Sequence, residues 1–403
     1  MRTCRRAPLP GHGWRASVPS RYGRAADVSI EVSVYDAFGP AEAQWRYLEG
    51  NSVHYGFQCF DWLATWQATV GTVGAIRPCI VIVREAGQPV ALFPFGIWRQ
   101  LGARVLGFLG AEQVDYNAPL LHQAYLEPAR FEVLWRTVER HLPVHDVRLF
   151  VRMPEVLNVS GPENPCSRIA PTVGTDRAYM ASLPDDWDTF SKRLSAQFRS
   201  NTGRKWRRLA TTGNLRLVVA DTPDRTRQLL DAVFDQKIRR LRETGARASI
   251  ANAELRNFYC GLPQQLGAKG RVHLSGLMLD DRVLAAHLGM VYENRFYWLL
   301  PTFVGGEWER YSTGRLLLEQ LLRRSIGEHI EYFDFTVGGE AYKNTWSDRE
   351  MALYTGLKTV SLRGIPFALA YRLVRWIKTN SRTRALAMGL VRLLRGATPE
   401  IRR

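Results

Sequence analysis

Residues 271–346 leave this chain the fewest choices of fold. Residues 271–279 alternate apolar and polar side chains, turn at Asp280-Asp281, resume over 282–292, turn at Glu293-Asn294 and run over 295–300 into Pro301. That alternation predicts a three-stranded antiparallel meander. After a ten-residue connection, Ser312 or Thr313 can cap a helix with Leu317, Leu318, Leu321 and Leu322 on its apolar face and Gly327 at its end. A short apolar strand follows over 330–336. Strand, helix and strand at this spacing require a right-handed parallel crossover, so the predicted sheet is mixed, a meander with one parallel neighbour.

Proline has no N–H for a ladder, so the third meander strand and the strand after the helix are expected to diverge beyond Pro301. Just after it, Tyr311-Ser312-Thr313-Gly314-Arg315 offers free N–H groups, a positive helix end and a guanidinium, which suit a phosphate. An ordinary capped helix on a sheet presents the same pattern. His287, central in the second meander strand, is a candidate base or a satisfied core histidine. Asp334, between Phe333 and Phe335, is a candidate site carboxylate or a buried structural hydrogen-bond partner. Lys343 follows the short turn Gly338-Gly339-Glu340-Ala341-Tyr342 at the carboxyl end of its strand, where open sheets bind ligands.

Upstream, strands over 78–84 and 89–98 about a turn at Gly87, a third over 105–109, a helix over 131–141 and a strand over 146–151 repeat the same order, so the first half reads as a degenerate copy of the second. Prolines 162, 165 and 171 mark a boundary. The predicted division is a basic disordered tail over 1–26, a degenerate domain over 27–157, a linker over 158–178, a second domain over 179–361 and a helical tail over 362–403. In the second domain Asp185 or Asp186 is expected to start one long helix through Leu209, with a basic face of Lys192, Arg193, Arg199, Arg204, Lys205, Arg207 and Arg208 and a kink at Gly203.

The net charge of +17 points to an anionic partner. Much of it is terminal: residues 361–403 hold ten Arg or Lys against Glu400 alone. The face Phe367, Leu369, Ala370, Leu373, Val374 and Ile377 interleaves with Arg372, Arg375 and Lys378, and a second short segment repeats the style with Leu386, Leu390 and Leu393. Such basic amphipathic helices fit an anionic membrane surface or nucleic acid, or else a tail packed on the domain. Five scattered cysteines imply a reducing compartment and no metal site. No apolar run follows Arg5-Arg6, so no signal peptide is expected, and no serine sits in a nucleophile elbow.

The order of meander, Ser-Thr-Gly helix start, YFDFT strand and Gly338-Gly339-Glu340-Ala341-Tyr342-Lys343 resembles the CelD/BcsL-like (BioF2-like) branch of the Gcn5-related N-acetyltransferase superfamily over about 186–346. The tandem organisation resembles that of the Fem enzymes. The resemblance implies an α/β protein of two tandem acyl-CoA N-acyltransferase folds with mixed sheets, followed by basic helices. It implies acyl-CoA (acetyl-CoA) as donor, its pantetheine added to the splayed sheet and its phosphates at Ser312, Thr313, Gly314 and Arg315, although Gly314 alone represents the superfamily's small-residue phosphate loop. It implies transfer to an amine or hydroxyl of a small-molecule or glycan acceptor, in polysaccharide or cell-envelope synthesis; the cysteines and the basic helices add the expectation of a cytoplasmic protein, peripheral at the inner membrane surface. Lys343 with Tyr342 takes a catalytic role from the family pattern, and Asp115-Tyr116 resembles its acceptor-groove pair. Aminoacyl-tRNA as the donor, and a non-catalytic membrane-surface scaffold, are the alternatives.

Overall fold

The computed structural model describes residues 30–158, 161–245 and 249–379. The expected disordered tail over 1–26 and the helix around Leu386–Leu393 lie outside the described residues.

The first half comprises β1 (Ile30–Tyr35), α1 (Glu42–Asn51), α2 (Phe60–Trp66), β2 (Arg77–Glu85), β3 (Gln88–Gln100), β4 (Ala103–Phe108), β5 (Leu120–Leu121), α3 (Pro128–His141) and β6 (Val147–Pro154). The second comprises β7 (Thr172–Ser182), α4 (Trp187–Ser191), α5 (Ala196–Ala210), β8 (Leu215–Val219), α6 (Pro223–Glu243), α7 (Ala253–Leu266), β9 (Val272–Leu279), β10 (Arg282–Tyr292), β11 (Arg295–Phe303), α8 (Thr313–Gly327), β12 (Tyr332–Val337), α9 (Ala341–Trp346), β13 (Arg349–Thr359) and α10 (Ile365–Thr379). Strand β7 begins inside the segment expected as a linker. The long helix expected from Asp186 is two helices, broken before Ser195 and not at Gly203. Ser195 accepts the Phe198 N–H through its hydroxyl and so restarts the helix as an N-cap.

Each half contains the anticipated mixed unit. β9, β10 and β11 form an antiparallel meander, and β12 returns parallel to β11 after α8. β2, β3 and β4 do the same, with β6 parallel to β4 after α3. The strands that follow the crossovers are exchanged: β7 leaves the first half to pair with β12, while β13 returns from the second to pair with β6, and the two pair with each other. One thirteen-stranded sheet results, in the order β1-β2-β3-β4-β6-β13-β7-β12-β11-β10-β9-β8, with β5 on β3. Because strand residues alternate between faces, Tyr297 joins the core with Trp62, Phe234 and Phe258, while its neighbours Phe296 and Trp298 join that of α5 and α8.

A buried polar clasp adds to the exchange. The Asp334 carboxylate accepts the Tyr116 hydroxyl at 2.6 Å and the Thr336 N–H at 2.8 Å on Oδ1, and an Arg295 N–H at 3.3 Å on Oδ2. Arg295 also donates to Asn158 at 3.0 Å and lies over the rings of Tyr55 and Tyr297. Tyr55, Tyr116 and Asn158 belong to the first half, Arg295, Tyr297 and Asp334 to the second. Desolvation pushes the Asp334 pKa up, and Arg295, Tyr116 and the Thr336 N–H oppose it.

Removing one member of a buried ion pair strands the other charge. Asp334→Ala is therefore expected to destabilise the protein by about 3–5 kcal/mol and Tyr116→Phe by about 1 kcal/mol, read from urea denaturation curves. Equal, negligible shifts would contradict the role given to the clasp.

Candidate active site

β11 and β12 pair at three rungs, Arg295↔Tyr332, Phe296↔Phe333 and Tyr297↔Asp334, and then separate. Leu299, Leu300 and Pro301 on one side and Phe335, Thr336 and Val337 on the other border a cavity of about 210 Å³. The expected divergence is present, but β11 runs on past Pro301 to Phe303. Val304 donates to Leu284 O at 2.9 Å, so the two-residue alternation turns the Pro301 nitrogen away from β10, toward the side that β12 has left. The missing donor costs no ladder bond.

Two bulges open the fork. Opposite β10, the register steps from Leu288↔Leu300 to Met290↔Tyr297, inserting one extra residue in β11. The freed Leu299 N–H donates to His287 Nε2 at 3.3 Å. Gly289 leaves the room this needs, since a Cβ there would lie 2.3 Å from both the His287 ring and the Tyr297 carbonyl oxygen. In β12 the register with β7 steps from Asp334↔Met180 to Thr336↔Tyr179, and Thr336 takes φ +58°. Its N–H is the one held by Asp334.

His287 is thus a bulge partner rather than a cavity residue. It is fully buried, stacks on Trp298 at 4.2 Å between centroids, and burial holds its pKa well below the ordinary histidine value. Asp334 and Tyr116 also lie behind the cavity wall, with every Asp334 oxygen engaged. The structure brings the other sequence candidates together: Asp115, Tyr342 and Lys343 all line the cavity. Asp115 accepts from Arg152 at 3.0 Å, and burial raises its pKa. Tyr342 accepts the Trp298 indole N–H at 3.1 Å, and burial pushes its pKa up to about 12. Lys343 stands in α9, not in an open turn. Its Nζ donates to Val337 O at 2.9 Å and pairs with Glu340 at 3.0 Å, so it ties down the end of β12 from within the cavity wall.

Sequence reasoning missed Lys237 and Trp62. Lys237 projects from α6 into the cavity with no hydrogen bond or ion pair among the described residues; burial lowers its pKa, Glu340 opposes that, and the nearby Lys343 adds to the lowering. The signal was its position three and four residues past Phe234 and Val233, which puts it beside the buried face of α6. Trp62 presents a buried indole N–H that has no partner among the described residues.

The start of α8 lies beside the end of β11. Ser312 takes a left-handed conformation, φ +54°, and its hydroxyl accepts from Lys205 Nζ at 2.6 Å instead of capping the helix. Gly314 faces Phe303, whose ring a Cβ would meet at 3.0 Å, so Gly314 serves the packing of α8 on β11. Thr313 donates to Leu284 O at 3.3 Å. Burial lowers the pKa of Lys205, with Arg315 and Arg204 adding to it, and burial lowers that of Arg315, which lies over Phe198. No carboxylate among the described residues pairs with Lys205, Arg204 or Arg315. A helix start with uncompensated cations suits a phosphate, and it fits the phosphates of an acyl-CoA.

The equivalent places in the first half are filled by the chain itself. Glu127 caps α3, its carboxylate accepting the N–H groups of Ala129 and Arg130 at 3.0 and 2.8 Å. Where β6 has parted from β4, Asn117 bonds to Arg152 O through its backbone and to Val151 O through its side chain, both at 3.0 Å. The loop that closes this fork carries Asp115 and Tyr116 to the fork of the second half.

The acetyltransferase (GNAT) domain family matches residues 196–344. No curated protein matches the sequence. Among solved structures, FemX is similar with a TM-score of 0.55 at 11% identity, over 80% of this chain and 96% of its own. The C-terminal domain of a putative lysylphosphatidylglycerol synthetase from Agrobacterium fabrum is similar with a TM-score of 0.49 at 13% identity, over 83% of this chain and 95% of its own. A tandem GNAT protein from the clavulanic acid biosynthesis pathway is similar with a TM-score of 0.46 at 14% identity, over 82% and 98%. Residues 196–344, built around the fork of β11 and β12, match the acetyltransferase (GNAT) domain family, and the enzyme is an acyltransferase.

Proposed function

We propose that the enzyme takes an acyl group from acyl-CoA and passes it to an amine or hydroxyl presented from the first half. The observation that carries this reading is the cavity at the fork, where Asp115 of the first half meets Lys237, Tyr342 and Lys343 of the second. The donor's phosphates would lie against Thr313–Arg315, Lys205 and Arg315, and the bound thioester would supply an activated carbonyl. The acceptor would be oriented by Asp115.

The two lysines divide the work. Lys343, held between a carbonyl oxygen and a carboxylate, is a fixed ammonium and can stabilise negative charge that develops on the acyl oxygen. Lys237 has no partner among the described residues and a depressed pKa, so it can take the acceptor's proton as the C–S bond breaks and CoA departs as the thiol. Trp62 offers a further donor to the ligand. Gly338–Lys343 supports a place in the CelD/BcsL-like branch and hence an acceptor in polysaccharide or cell-envelope synthesis. Aminoacyl-tRNA as donor is the second reading, favoured by Arg204, Arg207, Arg208 and Arg310. These have no carboxylate partner among the described residues and extend the positive charge beyond what one nucleotide needs.

Three outcomes test this. In calorimetric titration with acetyl-CoA, one site per chain is expected. Lys205→Ala with Arg315→Ala should weaken binding by roughly tenfold or more, since each charged contact contributes on the order of 1 kcal/mol, and Glu127→Gln should leave it unchanged. Unchanged affinity in the double variant would remove the donor from α8, and loss of CoA binding by the wild type beside retained tRNA binding would favour the second reading. In the pH profile of turnover, activity should rise as Lys237 loses its proton, through a pKa below the ordinary lysine value of about 10.4. Lys237→Arg should abolish that limb, and a profile that keeps it assigns the proton to another group. Lys343→Met should lower turnover by roughly 10²-fold with donor affinity little changed, and Lys343→Arg should restore part of it. Wild-type turnover in Lys343→Met would end the electrostatic assignment.

A further inference from the structure

One apolar face of α10 packs on the fold, and a second is largely exposed. Phe367 and Ala368 pack against Val105, Val147, Leu149 and Leu357, while Arg375 reaches Thr355 at 3.3 Å. The helix is therefore part of the domain. On the other side Ile365, Leu369, Leu373 and Trp376 succeed one another at intervals of four, four and three residues, one stripe along the helix. They are 42, 62, 45 and 55% exposed. Leu362, immediately before the helix, is 84% exposed.

The stripe starts from a rigid platform. Asp146 accepts from the Arg104 backbone and guanidinium and from the Ser361 hydroxyl at 2.7 Å, and its carbonyl accepts the N–H groups of Val360 and Ser361. The hydrogen bonds of Arg104 hold its carboxyl well below the usual carboxylate range. This knot draws together the β3–β4 turn, the approach to β6 and the exit from β13, and each brings an outward apolar tip: Leu101, Val144 and Val360. Exposed Arg363 and Arg372 flank the stripe. Residues 380–403 add Arg382, Arg384, Arg392, Arg395, Arg402 and Arg403 against Glu400 alone.

We propose that this end of the molecule, the Asp146 platform with the outer stripe of α10, docks on an anionic phospholipid surface. Apolar side chains with a tryptophan at one end enter the headgroup boundary, and the flanking arginines meet the lipid phosphates. A nucleic acid would match the arginines but leave the Leu and Ile side chains in water. A second copy would match the stripe but set two strongly basic tails against each other.

The test is sedimentation of the full-length protein with phosphatidylglycerol-containing vesicles and with phosphatidylcholine vesicles. Binding is expected to the first, weaker by about tenfold or more to the second, and lost near 1 M salt, where the Debye length falls to about 3 Å. Leu369→Asp with Leu373→Asp, at exposed positions outside the packed face of α10, should reduce binding by about tenfold or more with little change in the urea unfolding curve. A chain ending at Thr379 should bind more weakly but still bind. Wild-type binding in the double variant would overturn the proposal. So would a wild type that ignores anionic vesicles, whether because it dimerises through the stripe by light scattering, because it retains only oligonucleotides, or because it binds vesicles only once residues 380–403 are removed.

Discussion

The fork rests on a carboxylate kept in a place that disfavours its charge. Asp334 occupies the last rung that joins β11 to β12, and its side chain turns to the face where the two halves meet. An isolated charge there would be strongly disfavoured, so the site is viable only because Arg295, Tyr116 and the Thr336 N–H converge on it. Each partner fixes something beyond the charge. Tyr116 sets the loop that carries Asp115, Thr336 sets the bend by which β12 leaves the ladder, and Arg295 connects the pair to the tyrosines of the interface. Asp334, Arg295 and Tyr116 thus position the cavity wall without lining the cavity themselves.

The two halves illustrate how one topology is opened or closed by its side chains. In the second, the helix start faces cations and the fork faces a cavity. In the first, Glu127 supplies the anion at its own helix start and Asn117 the hydrogen bonds in its own fork. The closing loop is then free to become the opposite wall of the surviving site, with Asp115 at its tip. The exchange of β7 and β13 makes the arrangement durable, because neither half completes its own sheet.

The period-2 runs and the spacing of strand, helix and strand carried the repeated mixed units and the fork, since both follow from local alternation and from the proline at 301. The cavity candidates Asp115, Tyr342 and Lys343 came through resemblance, and the structure gathers them. What stayed hidden depends on distant partners. His287 reads as a base or, more often, a core residue until the Leu299 N–H of the neighbouring bulge is seen to meet it. Nothing local shows that Ser195 interrupts the basic helix, that β13 crosses to the first half, or that Ser312 gives its hydroxyl to Lys205 instead of to its own helix. Lys237, beside the buried face of α6, carries no local mark of a site, because the cavity it enters is built by strands that follow it in the chain.

The central claim is that the fork of β11 and β12, and not its counterpart between β4 and β6, receives the acyl donor. Hydrogen–deuterium exchange with and without acetyl-CoA addresses it at single elements. Added protection is expected at Thr313 and Gly314, with Asn117, Ala129 and Arg130 unchanged. Protection at Ala129 and Arg130, or none at the start of α8, would contradict the account.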